Sequence, residues 1–366
     1  MVDLRYWIAF NRTPGVGPAK VRALIDHFGS LQAAWHAGEP EWKAAGLDRR
    51  AINSLLAVRA AIDLDVETDR VAACGARLIT WNDADYPPLL RSTPDAPPVL
   101  YAKGDLTPPD SQWAVAIVGT RRSTVYGRQA AERLAGDLAR SGVTIVSGLA
   151  RGIDAAAHWA ALKAGGRTIG VMACGIDQVY PAEHARLAAQ IVEHGALLTE
   201  SPIGSPPEAG NFPARNRIIS GLSLAVLVVE AGDHSGALIT ADRALEQGRD
   251  VFAVPGSIFS RTSAGTNRLI SEGATLVRSA EDVLEALNLR MVAQQAEAQS
   301  MITDDPIETA LLKTISHEPL HIDEIVRGMD VPIAQVSSVL AMMELKGLVR
   351  QVGGMTYVRA REGRVE

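Results

Sequence analysis

Apolar side chains recur at helical spacing through the first part of the chain: Leu4, Trp7 and Ile8, then Val21, Leu24, Ile25 and Phe28, then Ile52, Leu55, Leu56 and Val58. This spacing gives each of several short helices one apolar stripe and predicts a small all-helical module over residues 1–75. From Ala76 the pattern changes to short apolar runs, several closed by Gly, Ser or Thr, each followed by an amphipathic stretch. The runs are Ala114–Val118, Val143–Val146, Thr168–Ala173, Ala196–Leu198, Leu224–Val229, Val251–Val254 and Ala274–Val277. Strands alternating with helices in this way predict an α/β domain over residues 76–287, a mostly parallel sheet with helices on both faces. Such a sheet binds its ligand beyond the carboxyl ends of its strands.

Two stretches break the pattern. Residues 85–109 hold Pro87, Pro88, Pro94, Pro97, Pro98, Pro108 and Pro109 and read as an extended connection on the surface, with Leu89, Leu90, Val99 and Leu100 requiring burial. Residues 288–305, with Gln294, Gln295 and Gln299 before Asp304 and Asp305, read as a solvated linker. Beyond it, residues 306–360 predict three short helices, Ile307–Ser316, Ile322–Gly328 and Pro332–Lys346. A hairpin over Leu348–Val358 follows, turning at Gly353-Gly354. That order is the order of a winged helix.

Composition narrows the class. A chain of 366 residues, 47% apolar and 21% charged, is globular rather than disordered and long enough for two or three domains. Its net charge of −6 supplies no global attraction for polyanions, so a nucleic-acid site has to be local. Cys74 and Cys174 are far apart, with no CxxC pair, which excludes a disulfide scaffold and a zinc cage and suits a reducing cytoplasm. The most apolar stretch, Leu222–Val229, stops at Glu230, far short of the ~20 residues of a membrane helix, and Asp3 and Arg5 interrupt any signal-peptide core. A soluble, cytoplasmic protein with no metal or cofactor is expected.

Three turns can carry chemistry. The run Ala114–Val118 enters Gly119-Thr120-Arg121, and Val143–Val146 enters Ser147-Gly148 ahead of a helix that starts near Arg151. Such turns present unpaired backbone amides, and a helix N-terminus adds roughly half a positive charge, which together make a phosphate cradle. Thr120 and Ser147 can donate hydroxyls, and Arg121 and Arg151 can fork onto phosphate oxygens. Between Gly119 and Arg151 six arginines face only Glu132 and Asp137, a local charge of +4 in an acidic chain. The competing reading makes the glycines plain turn residues and the arginines solvated. The second constellation is Asn211-Phe212-Pro213-Ala214-Arg215-Asn216-Arg217. Here Phe212 can stack on a base while Arg215, Asn216 and Arg217 hold phosphates; alternatively Phe212 plugs the core and the arginines pair with Glu200 or Glu230. Ser235-Gly236, ahead of a helix over Ala237–Gln247, is a third anion-ready turn. Asp154 and His158, spaced i, i+4, read as structural hydrogen-bonding groups, and Cys174 as a buried inert thiol.

Other signatures are missing or weak. No GxxxxGK[ST] occurs, and the one GxG, Gly15-Val16-Gly17, precedes a helix of the first module, so P-loop and dinucleotide chemistry lose their support. The stretch Thr13–Lys20 has the form of a helix-hairpin-helix turn, for which DNA contact and helix packing both stand open. Residues 303–366 carry a charge of −3, and the helix Pro332–Lys346 offers one base, so the last module reads as a protein-contacting unit rather than a duplex reader.

Four motifs, Ala116–Arg121, Ser147–Asp154, Phe212–Arg217 and Ser235–Thr240, together resemble the DNA-processing protein A (DprA/Smf) family, and the resemblance spans nearly the whole chain. It implies an amino-terminal sterile-alpha-motif or helix-hairpin-helix module, an extended Rossmann-like domain and a winged helix. It also implies a non-catalytic protein that binds and protects single-stranded DNA during natural transformation, in competence and DNA recombination, and loads the RecA recombinase onto it, working as a homodimer. The resemblance places Arg121, Phe212, Arg215 and Arg217 in the pocket. After Tyr180-Pro181 some relatives have a DNA-contacting lysine; this chain has Ala182, with Arg186 one turn later. The alternative is a nucleotide-phosphate-binding hydrolase of a related fold, whose Pro-Gly-Gly-x-Gly-Thr loop neither Pro255-Gly256-Ser257 nor Ala264-Gly265-Thr266 forms. A third reading is a protein-interaction scaffold.

Overall fold

The computed structural model describes residues 3–107, 110 and 112–289 and, further on, 307, 310–311, 314–315, 319–327, 331–345 and 349–359. It divides into two compact units, Met1–Arg290 and Met291–Glu366.

The first unit opens with six helices, Leu4–Asn11, Pro18–Phe28, Leu31–His36, Glu39–Ala44, Arg49–Ala61 and Leu64–Ala73. Their boundaries follow from capping. The Asp48 carboxylate accepts from the Ala51 amide and Asp63 from the amides of Asp65 and Val66, while Gly29, at a φ of 75°, closes the second helix in a left-handed cap. Trp7, Phe10, Leu24, Trp35 and Trp42 form their core, and that core continues into Val99, Tyr101, Met172 and Leu197 of the sheet domain. Polar contacts fasten the same seam: Asn11 donates to the Glu200 carbonyl at 3.1 Å and Arg12 to that of Ile203 at 3.1 Å. The helical module is thus packed on one face of the sheet rather than tethered to it.

The sheet has nine strands: β1 (Arg77–Thr80), β2 (Val99–Gly104), β3 (Ala114–Gly119), β4 (Thr144–Ser147), β5 (Thr168–Val171), β6 (Ala196–Thr199), β7 (Ala225–Glu230), β8 (Asp250–Ala253) and β9 (Thr275–Leu276). Their spatial order is β1-β2-β6-β5-β4-β3-β7-β8-β9. All seven runs expected as strands are present, as β3 to β9, and every pairing among them is parallel. The proline-rich stretch departs from expectation. Its residues 99–104 form β2, which pairs antiparallel with both β1 and β6, and Tyr86 and Leu90 before it are fully buried. Pro97 and Pro98 stand just ahead of this strand, where no ladder amide is required, so they border it without breaking it.

In order of sequence the chain builds leftward from β3 through β4, β5 and β6, then crosses back to place β7 on the other side of β3. The loops leaving β3 and β7 therefore diverge, and a crevice opens at the carboxyl ends of these two strands.

In the second unit β10 (Leu320–His321) leads into the helices Ile322–Arg327 and Ile333–Leu345, which are followed by β11 (Val349–Gly353) and β12 (Thr356–Arg359); the three strands form a sheet of order β10-β12-β11. Gly353 and Gly354 take positive φ, as the expected wing turn requires. Ile322, Ile325, Leu340, Met343 and Tyr357 are among its core residues. The first expected helix is described only at 307, 310–311 and 314–315, and the expected linker, beyond Asn288 and Leu289, lies outside the described residues. Among the described residues no helix is long and apolar enough to cross a membrane, and no group of His, Cys, Asp and Glu could hold a metal ion.

Candidate nucleic-acid interface

The crevice at the β3–β7 switch is a cleft of about 350 Å³. Its first wall is the turn after β3, where the Thr120 amide donates to the Glu230 carbonyl of β7 at 2.7 Å and the Thr120 hydroxyl accepts from the Arg122 amide. Gly119 is required there, because a Cβ would come within 2.5 Å of Ile153 and 2.9 Å of the Glu230 carbonyl. Its second wall is the start of the helix Asn211–Gly221, which supplies Phe212, Pro213, Arg215 and Asn216. Its third is the start of the helix Gly236–Glu246, capped by the Ser235 hydroxyl and braced by Asn216, which donates to the Gly236 carbonyl at 3.3 Å.

Eight residues singled out in the sequence therefore meet in one cleft: Gly119, Thr120, Arg121, Phe212, Arg215, Asn216, Ser235 and Gly236. They differ in what they offer. Arg121 is exposed, makes no ion pair among the described residues, and lies over the Phe212 ring at 4.7 Å. The Tyr180 ring meets that ring at a tilt, 5.8 Å between centroids. Arg215, by contrast, is the floor. It is 5% exposed, its guanidinium donates to the carbonyls of Gly148 and Val171 at the ends of β4 and β5, and burial pushes its pKa down to about 10 against the pull of Asp154. Gly148 leaves room for that guanidinium, since a Cβ would stand 2.6 Å from it.

The remaining four expected residues lie outside the cleft lining. Ser147 is fully buried and donates to the Ile117 carbonyl at 2.6 Å, tying β4 to β3. The Gly148 amide is taken by the Asp154 carboxylate at 3.2 Å. Arg151, exposed, is held in a bidentate pair by Glu183 at 2.5 and 2.8 Å. Arg217, half-buried, pairs with Glu200, which is the core pairing weighed against phosphate contact in the sequence.

Reasoning from sequence missed Arg122 and Ile239 as lining residues, and assigned Asp154 no place in the cleft. Asp154 is buried in its floor; burial raises its pKa, while Arg215 and the amides of Ala150 and Gly148 oppose that rise. Its position next to the Ser147-Gly148 turn was a usable signal, because a carboxylate in the first turn of a helix caps the amides before it.

Residues 77–288 match the DNA recombination-mediator protein A family and residues 295–355 the DprA winged helix domain. The chain belongs to the DprA/Smf family. Protein Smf of Synechocystis is 37% identical over 97% of this chain and 98% of its own length, and DNA processing protein DprA of Bacillus subtilis is 49% identical over 60% of this chain and 73% of its own. Among solved structures, DprA of Streptococcus pneumoniae superposes with a TM-score of 0.67 at 36% identity, covering 78% of this chain and 98% of that one. A Helicobacter pylori DprA, described for its single-stranded DNA binding mode, superposes with a TM-score of 0.52 at 32% identity, over 58% of this chain and 95% of that one. For this DprA/Smf chain the family match covers the cleft walls from β3 to the helix Gly236–Glu246.

Proposed function

We propose that this protein binds single-stranded DNA along the cleft at the β3–β7 switch, without chemistry on the strand, and delivers it to RecA in the cytoplasm during DNA uptake and recombination. The observation that carries the reading is the cluster at the rim, where the Arg121 guanidinium, without an ion pair among the described residues, lies over the half-buried Phe212 ring, which the exposed Tyr180 ring meets at a tilt beside the start of a helix. A phosphate takes the guanidinium and the turn hydroxyls, and a base takes the ring, an arrangement that tracks a backbone without reading its sequence. Residues Gly119, Thr120, Arg121, Phe212, Asn216, Ser235 and Gly236 contact the strand in this proposal, Arg215 shapes the floor, and Arg151 joins when its pair with Glu183 opens. A non-catalytic role is supported by Asp154, the one carboxylate in the lining among the described residues, which is buried and committed to two backbone amides. The single-stranded DNA binding of the Helicobacter pylori relative supports the ligand. A homodimer is supported by Ile258 and Phe259, 85% and 91% exposed on the loop after β8, apolar surface that a second subunit covers.

The test is fluorescence anisotropy of a labelled single strand and of duplex of equal length, with wild type and Arg121→Ala at two salt concentrations. Wild type prefers the single strand and weakens with salt; Arg121→Ala loses about tenfold and its salt slope falls by about 0.7, the loss of one phosphate contact. Equal binding by Arg121→Ala refutes the reading, and release of free base from a nucleotide favours the hydrolase instead.

A further inference from the structure

A second groove, of about 490 Å³, opens between the helices Val125–Arg140 and Ile153–Lys163. Trp159 forms its floor, half-buried against the core, and Arg128, Lys163 and Arg186 stand around it, all exposed. Glu132 is its one carboxylate, and none of these four charged groups makes an ion pair among the described residues. An indole encircled by three unengaged cations repeats the chemistry of the first cleft. The two sites also share a wall. Gly152 lines the groove, and its Cα is packed so tightly on the Thr120 and Arg121 backbone, which lines the cleft, that a Cβ would collide with the Thr120 carbonyl.

We infer that the groove around Trp159 is a second segment of the single-strand path, where a base stacks on the indole while Arg128, Arg186 and Lys163 neutralise phosphates of a strand continuing past Gly152. This rests on the proposed single-strand binding in the first cleft, and it adds a base platform and a longer footprint. A strand confined to the first cleft does not reach Trp159, whereas a longer one spans both sites. Stacking and phosphate neutralisation both favour single strands here, because a duplex does not expose a base face to the indole.

The experiment compares oligo(dT) of about 5 and about 20 nucleotides, lengths that bracket the footprint of a short site and of a composite one. The full-length wild type, Trp159→Ala, Trp159→Phe and the double variant Arg128→Ala/Arg186→Ala are used. Trp159→Ala weakens the long oligonucleotide by about tenfold and leaves the short one unchanged, and Trp159→Phe restores the long one. The double variant, whose changes are both on the surface, lowers the salt slope for the long oligonucleotide by about 1.4 and for the short one not at all. Unchanged binding and slope on the long oligonucleotide in all three variants overturn the inference, and so does equal loss on both lengths. Failure of the first-cleft reading is seen separately, as short-oligonucleotide binding that survives Arg121→Ala.

Discussion

Arg215 separates two roles that the sequence leaves together, and Arg215→Met tests which one it plays. The guanidinium is buried, bonded to the carbonyls of Gly148 and Val171 and to the Asn216 side chain, and it is the cation that opposes the burial of Asp154. Methionine fills much of the volume but donates nothing. Two carbonyls lose a donor, at about 1–3 kcal/mol each if nothing replaces it, and a buried carboxylate loses its counter-charge, for which about 3–5 kcal/mol is typical. These costs overlap, because Asp154 relaxes by taking up a proton, so a net loss of about 3–5 kcal/mol is expected at neutral pH. The pH dependence carries its own signature. The Asp154 pKa is already raised by burial, and without Arg215 it rises further. A carboxyl with a raised folded pKa stabilises the fold below its unfolded value and loses that contribution as pH rises through the folded value. The deficit of Arg215→Met is therefore smaller at mildly acidic pH than at alkaline pH. Urea unfolding followed by tryptophan fluorescence reads this directly, since all six tryptophans lie in the first 290 residues and report the larger unit alone. A variant that unfolds within about 1 kcal/mol of wild type yet no longer binds the strand would falsify the structural assignment and make Arg215 a ligand-contacting group.

Three further outcomes are expected. Gly152→Ala costs more than about 2 kcal/mol and weakens short-strand binding, because φ is 76° and the new Cβ collides with the Thr120 carbonyl; urea unfolding and anisotropy measure the two effects, and a neutral alanine contradicts the close approach. Glu183→Gln releases Arg151 and tightens single-strand binding by about threefold at low salt, an advantage that fades as salt rises; weaker binding by this variant would show that Glu183 itself serves the strand. The third concerns His158, whose ring burial pushes from 6.5 down to about 3 while its Nδ1 stays 2.6 Å from the Thr168 hydroxyl. The unfolded chain takes a proton there below about pH 6.5 and the folded chain only near pH 3. Stability is consequently full above 6.5 and falls with pH towards 3, by on the order of 4 kcal/mol. His158→Gln flattens the upper part of that acid limb; identical limbs in variant and wild type would refute it. The Asp110 contribution survives in both, since its pairing with Arg167, the Thr107 amide and the Thr144 hydroxyl outweighs its burial and holds that carboxyl low.

The class of fold and the turns that could matter are written locally in the chain. Period-two and period-3.6 apolar patterns are local, and the parallel strands β3 to β7, with Val251–Ala253 of β8, are buried almost throughout on both faces, so each shows as a short apolar run that any order of assembly would need. Glycines at 119 and 148 were legible as turn residues for a similar local reason. Strand β2 was hidden because its four apolar residues, Val99 to Ala102, lie among prolines, and only its pairing with β1 and β6 shows that the prolines border a strand. Which of the expected side chains face the cleft is set by long-range assembly. Arg121, Arg151, Arg215 and Arg217 are alike in sequence terms, each an arginine beside a glycine turn or an aromatic. Crossing from β6 back to β7 puts Arg121 at the rim and Arg215 under the floor, turns Arg217 to Glu200, and leaves Arg151 to Glu183. An arginine's role depends on whether a carbonyl, a carboxylate or solvent meets its guanidinium, and those partners lie 17 to 67 residues away along the chain for the three that are engaged. No local pattern encodes such partners, because they come into reach only once the strand order is set.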